Sequence, residues 1–217
     1  MRHLSTFAAN DPLPAIERSY DNWRGTNRGG QTVRRGALTT GSSEYGDDLV
    51  FASTETVRLS DLGFTVANLA NSGSITGFDL RIRIYSATTM EVLLDDFANY
   101  VLIGGGIDPG RAGYVFSEGG FFFGTNTIIS TPVFITTQVT SVQGIDLSQV
   151  GVGYGGPINT GSSSSLIRNF TSGQNIDLGA DPQNNLLFFI DSVVVPSPSS
   201  VSLLAASSLL ALRRRRK

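Results

Sequence analysis

The chain has 217 residues, among them 16 Lys and Arg and 18 Asp and Glu, for a formal net charge of −2. Five of the basic residues occupy the last five positions, so the rest of the chain carries 11 basic against 18 acidic residues and does not favour nucleic-acid binding. Cysteine is absent, which excludes disulfides and thiolate metal sites.

Residues 1–43 are predicted to form an irregular leader. Residues 22–43 are rich in Gly, Thr and Arg and predict one short edge strand, at 31–38. A small basic patch there suits either an acidic polymer or a solvated loop surface: Arg24, Arg28, Arg34 and Arg35. Residues 1–20 lack the apolar run of seven or more residues found in export signals, so we expect the natural start to lie upstream.

Residues 44–195 are predicted to form one antiparallel β-sandwich, jelly-roll-like in architecture. Period-two alternation predicts strands with one buried and one solvated face at 78–85, 62–66 and 150–154. Continuous apolar or β-branched runs predict strands covered on both faces at 49–52, 121–123, 133–139 and 186–195. Turn residues cluster between them, at 71–73, 104–106, 108–110, 119–120, 155–157 and 181–182. No helical stripe lasts three turns before residue 195, so the predicted class is all-β.

Little in this body points to catalysis. The only histidine, His3, lies in the leader, so a Ser-His-Asp triad or a His-bearing zinc site inside the sandwich is excluded. Paired carboxylates could still hydrolyse glycosides; the candidates are Glu44 with Asp47 and Asp48, Glu91 with Asp95 and Asp96, and Glu118. None has the alternating spacing that places several carboxylates side by side on one strand face, so we predict that the protein is not an enzyme.

Two acidic pairs are candidate calcium ligands. Calcium requires several hard oxygen ligands on a flexible loop. The pairs Asp47-Asp48 and Asp95-Asp96 are predicted at strand ends, where such loops occur. The alternative is that these acids are solvated turn residues. No other cofactor is predicted.

An aromatic run suggests a sugar-binding face. If 121–123 is a strand, Phe122 points away from its two neighbours and can join Tyr114 or Tyr154 in such a face. The alternative is that Phe122 is buried beneath the leader. Asn169 begins an Asn-Phe-Thr glycosylation sequon.

The end of the chain has three parts in a fixed order. The first is a proline motif, Val195, Pro196, Ser197 and Pro198, which ends any preceding strand. The second is an apolar segment, 201–212, that includes Val201, Leu203, Leu204, Leu209, Leu210 and Leu212; as a helix it spans about 18 Å, against about 30 Å of hydrocarbon. The third is a basic stop that favours the cytoplasmic side of a membrane: Arg213, Arg214, Arg215, Arg216 and Lys217.

This order resembles the PEP-CTERM sorting signal of bacterial exported proteins, although Ser197 stands where that family has Glu. The resemblance implies export, transient membrane anchoring, and processing near the proline motif by an exosortase-type membrane enzyme. Residues 196–217 are therefore predicted to be a sorting and anchor segment with a short hydrophobic helix. The alternative is an apolar C-terminal helix with a solvated basic end.

The body is similar to the β-sandwich ectodomains that often precede this tail, through 46–51, 57–66, 80–85, 93–95, 144–147 and 150–154. That similarity implies a fold but no activity. We therefore expect a non-enzymatic protein of the cell surface or extracellular matrix, with extracellular polysaccharide as a candidate partner. The alternative function is a lectin-like carbohydrate-binding module, or one that cleaves glycosides.

Overall fold

The computed structural model describes residues 17–21, 35–52, 56–102, 105–117, 128–155, 158, 160–164, 167–176 and 185–195. Most of these residues are in β-strands, which form two antiparallel sheets of eight and six strands. We call them sheet I and sheet II. Within the described residues the sole helical segment is one 3₁₀ turn, Leu147–Gln149, capped by the Asp146 side chain.

Sheet I is organised around its longest strand. Its members are β1 (Glu17–Asp21), β2 (Arg35–Thr39), β4 (Val57–Asn68), β7 (Ala112–Ser117), β8 (Ile128–Ile129), β10 (Val150–Gly155), β13 (Asn185–Leu186) and β14 (Phe188–Val194). Strand β4 pairs with β14, β10, β7 and β8. Strand β1 pairs with β14, and β2 and β13 pair with β10.

Sheet II has a simple linear order. Its members are β3 (Tyr45–Leu49), β5 (Gly77–Ser86), β6 (Val92–Val101), β9 (Val133–Gln143), β11 (Ile167–Asn169) and β12 (Asn175–Ile176). The strands run in the order β12, β11, β3, β9, β5, β6. Strand β6 therefore lies at one edge of the sheet, opposite β12.

The hydrophobic core fills the space between the two sheets. Phe64 of sheet I meets the Tyr100 ring of sheet II edge-on, with ring centroids 6.3 Å apart. Tyr100 in turn stacks on Phe78, at 5.0 Å. The largest fully buried side chains come from both sheets and the loops that join them: Phe64, Phe78, Phe188, Leu49, Leu62, Ile75, Leu80, Ile82 and Ile84. The predicted β-sandwich is confirmed.

Several predicted strands are confirmed in place. In β5, Leu80, Ile82 and Ile84 are buried, while Arg81 and Arg83 lie on the outer face, as the alternation at 78–85 predicts. The runs at 133–139 and 186–195 lie in β9 and in the pair β13 and β14. The strand predicted at 150–154 is β10, but its predicted solvated face is wrong, because residues 150–153 are all buried. The run at 121–123 lies outside the described residues.

Two further strand predictions are wrong in detail. The alternation at 62–66 does not leave one face of β4 solvated, because both faces are covered from residue 62 to residue 68. Phe189 of the paired strand lies so close over Gly63 that a Cβ there would be 1.9 Å from its ring. The strand predicted at 49–52 instead ends at Leu49, which pairs with Val133; the next partner would be Pro132, which has no N–H to continue the ladder.

The leader contributes strands to the sandwich. Strand β2 confirms the short edge strand predicted at 31–38, shifted to 35–39, whereas β1 was not predicted. The predicted C-terminal helix and residues 196–217 lie outside the described part of the chain. Where the structure is described, it contains no helix with the length and apolarity needed to cross a bilayer.

Candidate functional site

A buried carboxylate organises the outer face of sheet II. Glu44, just before β3, is 5% exposed. Its carboxylate accepts hydrogen bonds from Arg83 Nη1, from the Tyr85 hydroxyl at 3.0 Å and from Thr136 Oγ1. Its backbone carbonyl accepts from the Phe170 N–H at 2.8 Å. Glu44 thus joins β5, β9 and the turn after β11.

An arginine and aspartate pair extends this network along β5 and β6. Arg81 contacts both carboxylate oxygens of Asp95, with Nε 2.7 Å from Oδ1, and Arg83 Nε lies 3.2 Å from Oδ2. The hydrogen bond from Arg81 lowers the pKa of Asp95. The two strands pair in this register, Arg83 opposite Asp95, so strand alternation places all three side chains on one face.

Aromatic rings fill the space between the β11–β12 turn and the sheet. Phe170 stacks on Tyr85 with centroids 4.9 Å apart and meets Phe134 edge-on at 5.4 Å. The Arg168 guanidinium lies over the Phe170 ring, 5.4 Å from its centroid. Burial raises the pKa of the Tyr85 hydroxyl. Because these rings contact one another, they pack the turn against the sheet.

One aromatic ring on the same face stays open to solvent. Phe97 of β6 is 57% exposed and lies opposite Arg81 in the register. Beside it, Asn99 Nδ2 donates to Asp79 Oδ1 at 2.5 Å, and Ser141 Oγ donates to Asp79 Oδ2 at the same distance. This exposed ring, with fixed polar side chains beside it, is the candidate ligand-contacting surface on the outer face of sheet II.

A second polar group lies where the two sheets meet. We call Asp47, Asp48, Ser163 and Asn185 the oxygen cluster. Ser163 Oγ is 2.9 Å from Asp47 Oδ1, 3.0 Å from Asp48 Oδ1 and 2.8 Å from Asn185 Oδ1. The Leu186 N–H of sheet I donates to Asp47 Oδ2 at 2.9 Å, and the Ser164 N–H donates to Asp48. The cluster therefore links β3 of sheet II, β13 of sheet I and the loop at 160–164.

Asp47 is in an unusual environment for a carboxylate. It lies in β3 between Tyr45 and Leu49, on the face that packs into the core, and is fully buried. Desolvation by this burial raises the pKa of Asp47 well above its ordinary value, against an opposing effect of the Ser163 hydrogen bond. None of the described groups that set this pKa is a cation.

The structure separates the acidic residues predicted from sequence. Glu44 joins the arginine network, while Asp47 and Asp48 belong to the oxygen cluster. Neither predicted pair lies at a strand end, because Asp47-Asp48 are inside β3 and Asp95-Asp96 are inside β6. Within the described ranges, no three His, Cys, Asp or Glu side chains form a metal-binding group. Glu91 is exposed, and Glu118 lies outside the described residues.

The aromatic and sequon predictions have mixed outcomes. The side chains of Phe122 and Tyr114 lie outside the described part of the chain, and Tyr154 packs half-buried against the core. Asn169 accepts hydrogen bonds from the N–H groups of Thr171 and Ser172, so it caps the turn that carries Phe170.

The sequence analysis did not identify most of the residues that contact Glu44 or that form the oxygen cluster. Ser163 and Asn185 are more than a hundred residues from Asp47 and carry no local signal. Arg83, in contrast, lies on the predicted solvated face of the strand at 78–85. Once β6 is known to pair with this strand, the register places Arg83 opposite Asp95.

Comparisons with known proteins identify no family. No protein-family model matches the chain. No curated protein matches it either. Among solved structures, a chain in the structure of the infectious bursal disease virus Gx strain is 12% identical, with a TM-score of 0.24. The match covers 95% of this chain but only 49% of that chain, and a likeness at this TM-score does not define a shared fold.

The Glu44 network should matter for stability. In Glu44→Ala, the buried Thr136 donor and the half-buried Arg83 and Tyr85 donors lose their shared acceptor, and we expect the free energy of unfolding in urea titrations to fall by about 2–3 kcal/mol. The exposed Glu91→Ala variant is the control and should change stability by less than about 0.5 kcal/mol. Equal effects of the two substitutions would contradict the network.

The raised pKa of Asp47 gives stability a defined pH dependence. The folded chain holds this proton more tightly than the unfolded chain, so the stabilising effect is complete below the unfolded pKa of 3.8 and is lost as the pH rises towards the folded value. Urea unfolding in EDTA from about pH 4 to about pH 8 should therefore show wild type losing stability relative to Asp47→Asn. The exposed Asp108→Asn variant should parallel wild type, and parallel curves for all three proteins would refute the assignment.

Proposed function

We propose that this chain is an exported, non-enzymatic β-sandwich that acts in cell-surface or extracellular-matrix structure after sorting through its tail. The observation that carries the proposal is the position of the last described strand. Strand β14 pairs with β4 up to Val194, and the Val195 N–H donates to the Thr56 carbonyl at 2.9 Å. Pro196 follows at once, so cleavage at the proline motif removes none of the described strands.

The proposed route follows the three parts of the tail. Residues 201–212 are retained transiently in the membrane, and residues 213–217 stay on the cytoplasmic side. An exosortase-type enzyme then recognises the segment from Val195 to Pro198 and releases or transfers the sandwich. The mature protein acts by adhesion or matrix integration, through the faces and loops of a jelly-roll-like body.

The sorting proposal is tested in cells that export the protein. Removing residues 213–217 should abolish membrane retention, because the positive charges that stop translocation are lost. Replacing Pro196 and Pro198 with Ala should block processing and leave the sandwich folded. Intact mass, sequencing of both termini and cell fractionation measure both effects.

The matched control leaves residues 195–217 unchanged and carries a substitution in the β-sandwich. The Glu91→Ala variant should be processed like wild type, with a C-terminus between residues 195 and 200. An unchanged mature mass and location in both tail variants would reject the sorting proposal. So would recovery of the chain from the cytoplasm with all 217 residues.

A lectin-like carbohydrate-binding module is the second candidate. The observation that favours it is the exposed Phe97 ring beside Asn99 and Asp79 on the outer face of sheet II. Aromatic rings offer an apolar face to a sugar ring, and fixed polar side chains give its hydroxyls hydrogen-bond partners.

A glycan array of the purified chain tests this candidate. Binding should fall at least about tenfold in Phe97→Ala, since the stacking surface is lost. Val101→Ala is the matched control, because Val101 is an exposed apolar residue of the same strand and should be dispensable. If no glycan binds, or if both variants bind equally, the carbohydrate-binding candidate is rejected and the structural role is the one that stays.

A further inference from the structure

The oxygen cluster has too few protons for its contacts. Ser163 Oγ lies within 3.0 Å of an oxygen from each of Asp47, Asp48 and Asn185. A serine hydroxyl donates one hydrogen bond only. At most one of these contacts can therefore be a hydrogen bond given by Ser163, and the remaining oxygens need another positive partner.

The orientation of Asn185 supports the same conclusion independently. Asn185 is 0% exposed, and its carbonyl oxygen points into the cluster, whereas its buried Nδ2 has no hydrogen-bond partner among the described residues. Leaving a buried amide donor without an acceptor is unfavourable. The arrangement is explained if the carbonyl oxygen is needed inside the cluster, as a ligand.

The charge of the cluster is uncompensated by side chains. In the part of the chain that the structure describes, no Lys, Arg or His forms an ion pair with Asp47 or Asp48. Their described partners are neutral donors: the Ser163 hydroxyl and the backbone N–H groups of Leu186 and Ser164. Two carboxylates and an amide oxygen thus each lie within 3.0 Å of the Ser163 hydroxyl oxygen, and this set of oxygen ligands suits a divalent cation.

We propose that Asp47, Asp48, Ser163 and Asn185 bind a calcium ion. Calcium takes six to eight oxygen ligands, from carboxylates, amide carbonyls and water, at 2.3–2.6 Å, so that neighbouring ligands are about 3 Å apart. That spacing matches the separations around Ser163. Magnesium fits less well, because it demands octahedral geometry and keeps several waters.

The ion would fasten the two halves of the sandwich together. Asp47 and Asp48 belong to β3 of sheet II, Asn185 belongs to β13 of sheet I, and Ser163 lies in the loop between β10 and β11. This site does not depend on the proposed sorting or carbohydrate functions, and its test is separate from theirs.

The experiment uses the full chain, stripped with EDTA and dialysed. Isothermal titration with CaCl₂ should show one site, with a dissociation constant of about 0.1–1 mM, the range of extracellular calcium modules. The midpoint temperature of thermal unfolding should rise by about 3 °C when the calcium concentration is ten times the dissociation constant, because calcium binds the folded state. MgCl₂ at the same concentration should shift it less.

Substitutions locate the site. Asp48→Asn should lose both the heat of binding and the calcium-dependent shift, and Ser163→Ala should weaken both. Asp96→Asn is the matched control and should respond like wild type, since Asp96 lies in β6, outside the cluster. If Asp48→Asn folds poorly, titration of Asp47→Asn gives the same test.

Three results would overturn the proposal. The first is that CaCl₂ produces neither a heat of binding nor a shift in thermal unfolding of the wild type. A proton on Asp47 would then be sufficient to satisfy the contacts of the oxygen cluster. The second is an equal calcium response in wild type, Asp48→Asn and Asp47→Asn. The third is an equal shift with MgCl₂, which would indicate nonspecific stabilisation by divalent ions.

Discussion

The packing of β4 against β5 and β6 across the sandwich is the interaction on which the rest of the structure depends. Phe64, Tyr100 and Phe78 form a continuous aromatic contact between the sheets, and the buried aliphatic residues of β4 and β5 surround it. Neither sheet has another way to remove its apolar face from water. Once these faces meet, the outer face of sheet II and the junction near β13 become the places where polar side chains gather.

The two buried carboxylates of the β3 region show how differently the fold treats a charge. Glu44 lies on the outer face, where Arg83 supplies a cation and two hydroxyl groups complete its hydrogen bonds. Asp47, three residues later, lies on the core face and has neutral described partners. The first arrangement compensates its charge within the sheet. The second calls for a proton or a bound cation, and it lies where that partner would join both sheets.

Sequence patterns predicted the parts of the fold that depend on one strand at a time. The alternation in β5 and the apolar runs in β9 and β14 follow from local side-chain order, because a strand buries every second residue. The burial of the second face of β4 could not be predicted from the local sequence, since it comes from Phe189, which is far away in the chain. The acidic pairs were misplaced at strand ends for a related reason: an Asp inside a strand opposes local propensity and is accommodated only by its tertiary partners.

The all-β class, most strands of the body and the order of motif, apolar segment and basic residues at the chain end can be read from the sequence, because these are properties of neighbouring residues. Which acids meet which partners depends on the tertiary structure. Ser163 and Asn185 reach the Asp47 region across separations of 116 and 138 residues, through the pairing of β3 with β11 in sheet II and the packing of β13 of sheet I beside β3. Antiparallel register and sheet packing set those encounters, and neither is encoded in a local pattern.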